Sequence, residues 1–473
     1  MNAPRAARRG VLVALTALAA TVSPAHAQED GDELATLRAE VARLAARVAE
    51  LEARLAATSS RPDAAAPTVA AAEPAPSPDT PAASTTATAQ TRALAATAPA
   101  SPAPTALPAG RTPDGSPPPG PRVSVGGRVK LDVVFNDRSR GSGSVGDTLL
   151  SPGAIALDGA GEDDQLDFSA RASRLWVKAW QATPYGDAGA YLELDLLGDG
   201  GDARISNGYG VRLRHAYGEL GGLLFGQTYS TFVNVGALPE LNDDGITAGG
   251  LNVRQPLLRY TQPLGGGALQ FALESPESTI TARDGRRLTP DDDRLPDIVL
   301  RYQREGRFGQ WSLATMAREL RIDQGAGGAR DAVLGAAASL AGEWRLGLAD
   351  GLRFTAVGGN AVGRYLSFNA FDGARLTARG TLRATPMAGG SVSWQHLWSS
   401  HWRSNLTAGY AWADDHEAPA NVNVELYTVH ANLLWSPLAS TTLGVEWIHA
   451  WRRQVDGHGA RLNRLQFSAV HKF

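Results

Sequence analysis

The sequence predicts an all-β fold. Residues 122–473 read as a transmembrane antiparallel β-barrel of about 16 strands, preceded by a short N-terminal coiled-coil helix and a disordered Ala/Pro-rich linker. Three observations predict it. Runs of about ten residues alternate apolar and polar between clusters of Gly, Pro, Asn and Asp. The sequence ends on such a run, "RLNRLQFSAVHKF", with Phe473 last. Its first residues read as an export signal.

The export signal covers residues 1–27. Arg5, Arg8 and Arg9 precede the apolar run "GVLVALTALAA", and Ala25-His26-Ala27 supplies a small-residue cleavage site. The run is too short to span a bilayer. Cleavage takes the formal charge from -3 to -6, so no global positive field points to nucleic acid. The chain has no Cys, which suits an oxidising compartment and excludes disulfides and thiolate metal sites. No later run is long enough for a transmembrane helix, so any crossing is made by strands.

Residues 31–57 read as the coiled coil. Leu34, Leu37, Val41, Leu44, Val48, Leu51 and Leu55 recur in steps of three and four. Glu33 with Arg38, and Arg47 with Glu52, occupy g and following e positions, which favours parallel self-association. Leu or Val at a with Leu at d does not separate dimer from trimer. Residues 58–121 are an Ala/Pro/Thr-rich linker without a core of its own. It is either a tether that holds the coiled coil away from the barrel or a spacer facing the cell wall. A structural role is compatible with both, in which the N-terminal segment contacts peptidoglycan and the barrel acts as a plug.

The faces of the alternating runs decide the kind of barrel. Leu192, Leu194 and Leu196 oppose Tyr191, Glu193 and Asp195; Val211 and Leu213 oppose Arg212 and Arg214; Ile298, Leu300 and Tyr302 oppose Arg301 and Gln303. With so many strands the lumen is too wide for side chains to fill, so the charged face is the lumen and the apolar face meets lipid. Trp176, Trp180, Trp394, Trp398, Trp402, Trp412, Trp435, Trp447 and Trp451 stand near strand ends, as in interfacial girdles. In the last run Leu465, Phe467, Ala469, His471 and Phe473 share the apolar face, while Arg464, Gln466, Ser468 and Lys472 share the other. A closed barrel pairs its last strand with its first, which accounts for a chain ending inside a strand. The terminal Phe resembles the assembly signal of outer-membrane barrels.

The stretch "RLRHAYGELGGLLFGQTYSTF" (Arg212 to Phe232) resembles the DcaP-like outer-membrane porins, as do "ARASRLWVK" upstream and "LRYTQPL" downstream. A signal peptide followed by a short coiled coil is similar too. The resemblance implies a trimer of sixteen-stranded barrels in the outer membrane of a Gram-negative bacterium, with the coiled coil in the periplasm. It also implies passive diffusion of small organic anions, especially dicarboxylates. The long Ala/Pro linker departs from the family pattern.

The segment from Ser230 to about Pro256 is far longer than a tight turn. It is expected to fold inward and narrow the lumen, or else to be a plain extracellular loop. Glu240, Asp243 and Asp244 would present negative charge there, and Arg254 positive charge. The opposing wall is expected from Arg128 and Lys130, Arg174 and Lys178, Arg212 and Arg214, Arg259 and Arg301, each on the polar face of its strand. Three of the 45 basic residues are Lys, leaving 42 Arg, and guanidinium forks bind carboxylates bidentately. Rings of such cations select anions. Each arginine is equally open to pairing with a neighbouring carboxylate such as Glu193, Asp195 or Glu219. No cofactor or metal is expected. "GGDARISNGYG" and "LNDDGITAGG" read as solvated turns more readily than as Ca²⁺ loops. A barrel hydrolase is disfavoured, because His215, His396 and His401 accompany no G-x-S-x-G motif.

Overall fold

A computed structural model describes residues 120–139, 148–157, 159–325, 328–414 and 417–473. The expected signal peptide, the coiled coil and all but the last two residues of the linker lie outside the described residues. The strands are β1 (Arg122–Ser139), β2 (Glu162–Ser169), β3 (Arg174–Thr183), β4 (Gly186–Asp202), β5 (Gly208–Leu220), β6 (Leu223–Tyr229), β7 (Arg254–Leu264) and β8 (Gly267–Glu274). Then follow β9 (Ile280–Thr281), β10 (Arg287–Leu288), β11 (Asp297–Gly306), β12 (Gly309–Asp323), β13 (Arg330–Leu346) and β14 (Asp350–Asn360). The last are β15 (Ala374–Leu376), β16 (Leu382–Ala384), β17 (Pro386–Leu397), β18 (Trp402–Ala413), β19 (Asn423–Leu438), β20 (Thr441–Gln454) and β21 (Gly459–Lys472).

Seventeen of these segments form one sheet. β2 and β3 pair with successive parts of β1, so together they make one wall strand and the wall is a closed 16-strand antiparallel barrel. β1 closes it against β21, from Arg128 opposite Lys472 to Asn136 opposite Arg464. Short turns at one end alternate with longer loops at the other. β9, β10, β15 and β16 form a separate four-stranded sheet in two of those loops. Among the described residues no helix is long and apolar enough to cross a membrane.

Exposure runs opposite to that of a water-soluble barrel. Leu175, Leu192, Val211, Ile298 and Leu300 are exposed on the outside, while Glu193, Asp195, Arg214 and Arg301 are buried on the inside. The outward apolar face is the one that meets lipid. Trp394, Trp398, Trp402, Trp412, Trp435 and Trp447 are exposed on that face. Trp176 departs from the girdle expectation. It alternates in phase with Arg174 and Lys178, faces the lumen, and stacks on Tyr191 at 6.2 Å between centroids. Position near a strand end did not settle its face; the phase of the alternation does.

The lumen also departs from a uniformly charged wall. Phe232, Val233, Ala248, Leu251 and Val253 of the 230–253 loop join Val362, Tyr365, Leu366 and Phe371 of the 361–385 loop in one apolar core. That core rests on inward-facing Ala272, Val299, Ala314, Met316, Ala337, Val357, Met387, Ala411 and Leu426. Two loops packed inside a barrel need a dry landing, and small or flexible apolar side chains on one half of the wall supply it.

At the seam, Gly127 and Phe473 exchange backbone hydrogen bonds of 3.0 and 3.2 Å. A Cβ on Gly127 would stand 2.2 Å from the Arg174 carbonyl oxygen and 2.9 Å from the Phe473 ring. Gly127→Val is therefore expected to prevent closure. The heat-modifiable folded band on a denaturing gel should be lost, and a folded band at wild-type intensity would contradict this account.

Candidate functional site

The 230–253 loop crosses the inside of the barrel and is bonded to strands on both sides. Near its start Asn234 Nδ2 donates to Gln310 Oε1 and Ser312 Oγ of β12, both at 2.8 Å. Farther on, the Glu240 carboxylate accepts from Arg403 of β18 at 2.6 and 2.9 Å and from Gln395 of β17 at 2.7 Å. The Asn242 N–H donates to Glu446 of β20 at 2.6 Å. Asp243 accepts from Arg464 of β21, from the Leu150 N–H at 3.0 Å and from the Gly245 N–H at 2.6 Å. The loop then lies flat on the wall. A Cβ on Gly249 would be 2.3 Å from the Gly390 carbonyl oxygen, and one on Gly409 would be 2.0 Å from that of Ala248. Gly249 has φ +74°, a conformation that costs a side chain but not glycine.

Asp244 gathers three cations. Arg128 donates at 2.6 Å, Lys130 at 2.7 Å and Arg174 at 2.7 Å. Arg128 and Lys130 alternate on β1, and Arg174 stands directly opposite Arg128 on β3, so strand register alone brings all three to one spot. Burial would raise the Asp244 carboxyl, but these charges hold it well below the usual carboxylate range.

Next to this cluster β5 carries a bulge. Glu193 pairs with His215 while Leu194 pairs with Leu213, so Arg214 is the extra residue. The bulge turns both Arg214 and His215 into the lumen, where strict alternation allows one. Arg214 donates to Glu193 at 2.5 Å and to Asp195 at 3.1 Å; Arg212 donates to Asp195 at 2.7 and 3.0 Å. His215 Nδ1 is 2.9 Å from Thr228 Oγ1.

A cavity of about 200 Å³ remains beside the loop. Its charged lining is Arg128, Arg174, Arg214, Arg254 and Arg353 against Glu240, Asp243, Asp244 and Glu343, an excess of one positive charge. Arg254 lies over the Tyr229 ring, 4.3 Å from its centroid, and donates to its hydroxyl at 2.5 Å. Among the described residues no group of three His, Cys, Asp or Glu side chains is placed to hold a metal ion.

The model of the DcaP outer membrane protein family matches residues 122–473. The chain belongs to this family. Among curated proteins none matches it. Among solved structures it is similar to the outer membrane channel DcaP of Acinetobacter baumannii, with a TM-score of 0.66 and 22% identity, covering 75% of this chain and 98% of that one. It is also similar to an anion-selective porin from Comamonas acidovorans, with a TM-score of 0.50 and 12% identity, covering 75% and 100%. At these identities the likeness shows a shared porin barrel.

In this DcaP-family barrel the residues expected from sequence divide into three groups. Arg128, Lys130, Arg174 and Asp244 meet, and Arg214 and Arg254 line the same cavity. Glu240 and Asp243 are taken up by Arg403 and Arg464, two buried wall residues outside the expected site, although the last run's alternation already set Arg464 on the polar face. Both stand on the polar phase of their strands, next to outward Trp402 and Leu465, so alternation alone would have found them. Arg301, Arg259 and Lys178 form the last group, apart from the cavity. Arg301 donates to Gln270 at 2.7 Å and to the Val233 carbonyl at 2.6 Å. Arg259 is buried with no hydrogen-bond or ion-pair partner among the described residues, and Lys178 is exposed 5.6 Å from the Trp180 ring centroid.

The depressed Asp244 carboxyl has a pH consequence. Its anionic form is favoured in the folded state over the unfolded chain, where Asp titrates near about 4. The stability it contributes is present above that value and is lost only as pH falls through the lower, folded value. Loop-dependent conductance is therefore expected to stay level from neutral pH down to about 4 and to change only below it. A step between about pH 5 and 6 in single-channel recordings would contradict this.

Proposed function

We propose that this chain forms a passive outer-membrane channel for small organic anions, dicarboxylates in particular, with the 230–253 loop as its constriction. The observation that carries the proposal is the imbalance of partners along the lumen. Every acid lining the cavity, Glu240, Asp243, Asp244 and Glu343, is bound to a wall cation, whereas Arg254 has no carboxylate bound to it among the described residues. The charge left for a solute is positive. A dianion would exchange part of its hydration for guanidinium contacts and pass between successive weak sites, since tight binding would hold it in the pore. The fold it shares with an anion-selective porin agrees with this reading. A trimer follows from the family resemblance, and the N-terminal coiled coil would join the three chains in the periplasm.

The test is conductance of the detergent-folded protein in planar bilayers. Current steps in threes, an anion-selective reversal potential and block by succinate are expected. Arg254→Ala should move the reversal potential towards cation selectivity and weaken succinate block by about tenfold. Cation selectivity of the wild type, or block untouched by the substitution, would sink the proposal.

A further inference from the structure

A second arginine-lined cavity lies outside the constriction, in the loops at the far end of the barrel. The hairpin β9–β10 and the hairpin β15–β16 come from different loops, yet β9 pairs in parallel with β15, Ile280 opposite Ala374 and Thr281 opposite Arg375. Ile280, Leu320, Ile322, Ala361, Ala374 and Leu382 are buried together beneath this joint. The two hairpin tips are thus held side by side by a small core of their own. Both tips turn on a left-handed glycine, Gly285 at φ +83° and Gly380 at φ +80°.

Both tips are basic. Arg283, Arg286 and Arg379, with Arg330 at the start of β13, line a cavity of about 700 Å³. Arg286 pairs with Asp284 at 3.2 Å and Arg330 with Asp323 at 3.0 Å. Arg283 reaches only the Thr377 carbonyl, at 3.1 Å, and Arg379 has no partner among the described residues. Arg283 extends towards the other tip, where a Cβ on Gly380 would stand 3.6 Å from its Nη2. Two guanidiniums free of carboxylates therefore face one space from two rigidly joined hairpins. The β9–β10 tip meets Asn421, which lies between β18 and β19, so this hairpin reaches across the loop end of the barrel. That places the cavity at the mouth.

We propose that this cavity is an outer binding site for a small soluble anion carrying two or more phosphate or carboxylate groups, which it collects at the mouth. One group engages Arg283 and another Arg379, each fork donating to two oxygens. A single-headed anion satisfies one fork and leaves the other. The role as an entry site rests on the channel reading; the binding itself does not.

The full-length protein, inserted into planar bilayers in one orientation, is probed with pyrophosphate from each side. In the wild type pyrophosphate on the loop side is expected to reduce current at about one tenth of the concentration needed on the turn side. Orthophosphate should show no such asymmetry. Arg283→Ala with Arg379→Ala should abolish the asymmetry and leave turn-side block in place, with the heat-modifiable folded band retained. Asymmetry that survives the double substitution overturns the proposal, as does equal action from both sides in the wild type. If no variant conducts, the channel reading fails and calorimetry of pyrophosphate with the folded, detergent-solubilised chain decides. Binding lost in the double variant then supports the site, and no binding to the wild type overturns it. Binding of purified lipopolysaccharide without binding of pyrophosphate also overturns it.

Discussion

Asp244→Asn should shift the reversal potential strongly towards anions and loosen the inner loop at once. The substitution keeps the shape of the side chain and removes its charge. Arg128, Lys130 and Arg174 then face one another across a space that the carboxylate had neutralised. Removing one partner of a largely buried ion cluster costs about 3 kcal/mol or more, because the remaining charges stay desolvated and repel. They can recover hydration only by admitting lumen water, which requires the loop to move. Higher conductance, stronger chloride preference and greater current noise are therefore expected together. Asp244→Glu, which keeps the charge, should restore selectivity more fully than it restores loop packing. Unchanged selectivity in the Asn variant would mean that these three cations do not face the permeation path.

The second large effect is expected at Gly409, where no charge is involved. In an ordinary strand Gly→Val improves β-propensity and is neutral or stabilising. Here the first added carbon would lie 2.0 Å from the Ala248 carbonyl oxygen, and the loop has no slack beside it because Gly249 already touches Gly390. Gly409→Val should therefore keep the barrel closed while lifting the loop off the wall. Single-channel conductance should rise, and protease added to the folded protein should cut within 230–253, where the wild type resists. A wild-type conductance with an uncut loop would show that the seat is softer than this geometry implies.

The wall was legible in the sequence because a strand has a period of two and a membrane barrel has two chemically distinct faces. Leu192 against Glu193, or Ile298 against Arg301, could be placed on opposite sides without any knowledge of tertiary structure. Those faces also placed Arg128, Lys130 and Arg174 towards one lumen. What alternation could not give is where it breaks and what crosses it. The bulge that turns His215 inward beside Arg214 shifts the phase within one strand, and no residue there announces it. The pairing of Glu240 with Arg403 and of Asp243 with Arg464 joins residues about 160 and 220 positions apart, a matter of strand order around the barrel rather than local pattern. The second inward loop, 361–385, was hidden for a different reason. Its apolar residues look like any short hydrophobic run until the Ala and Met residues of the facing wall show that something must rest on them.

The pairing of β1 with β21 bears on how the molecule is made. One edge of β1 pairs with β2 and β3, but the other edge, residues 128–136, pairs with 464–472, so the first strand of the wall waits for the last before it has a neighbour on that side. Contact order this high makes closure a late and slow event. The apolar outer face cannot be hidden by collapse in water without turning the barrel inside out, because the side chains that must stay wet would then be buried. Folding in aqueous surroundings is thus opposed by the same residue pattern that stabilises the finished wall in lipid. The sequence encodes a protein that has to be kept open until a bilayer is at hand, and the demand for holding and insertion machinery is written into its strand order.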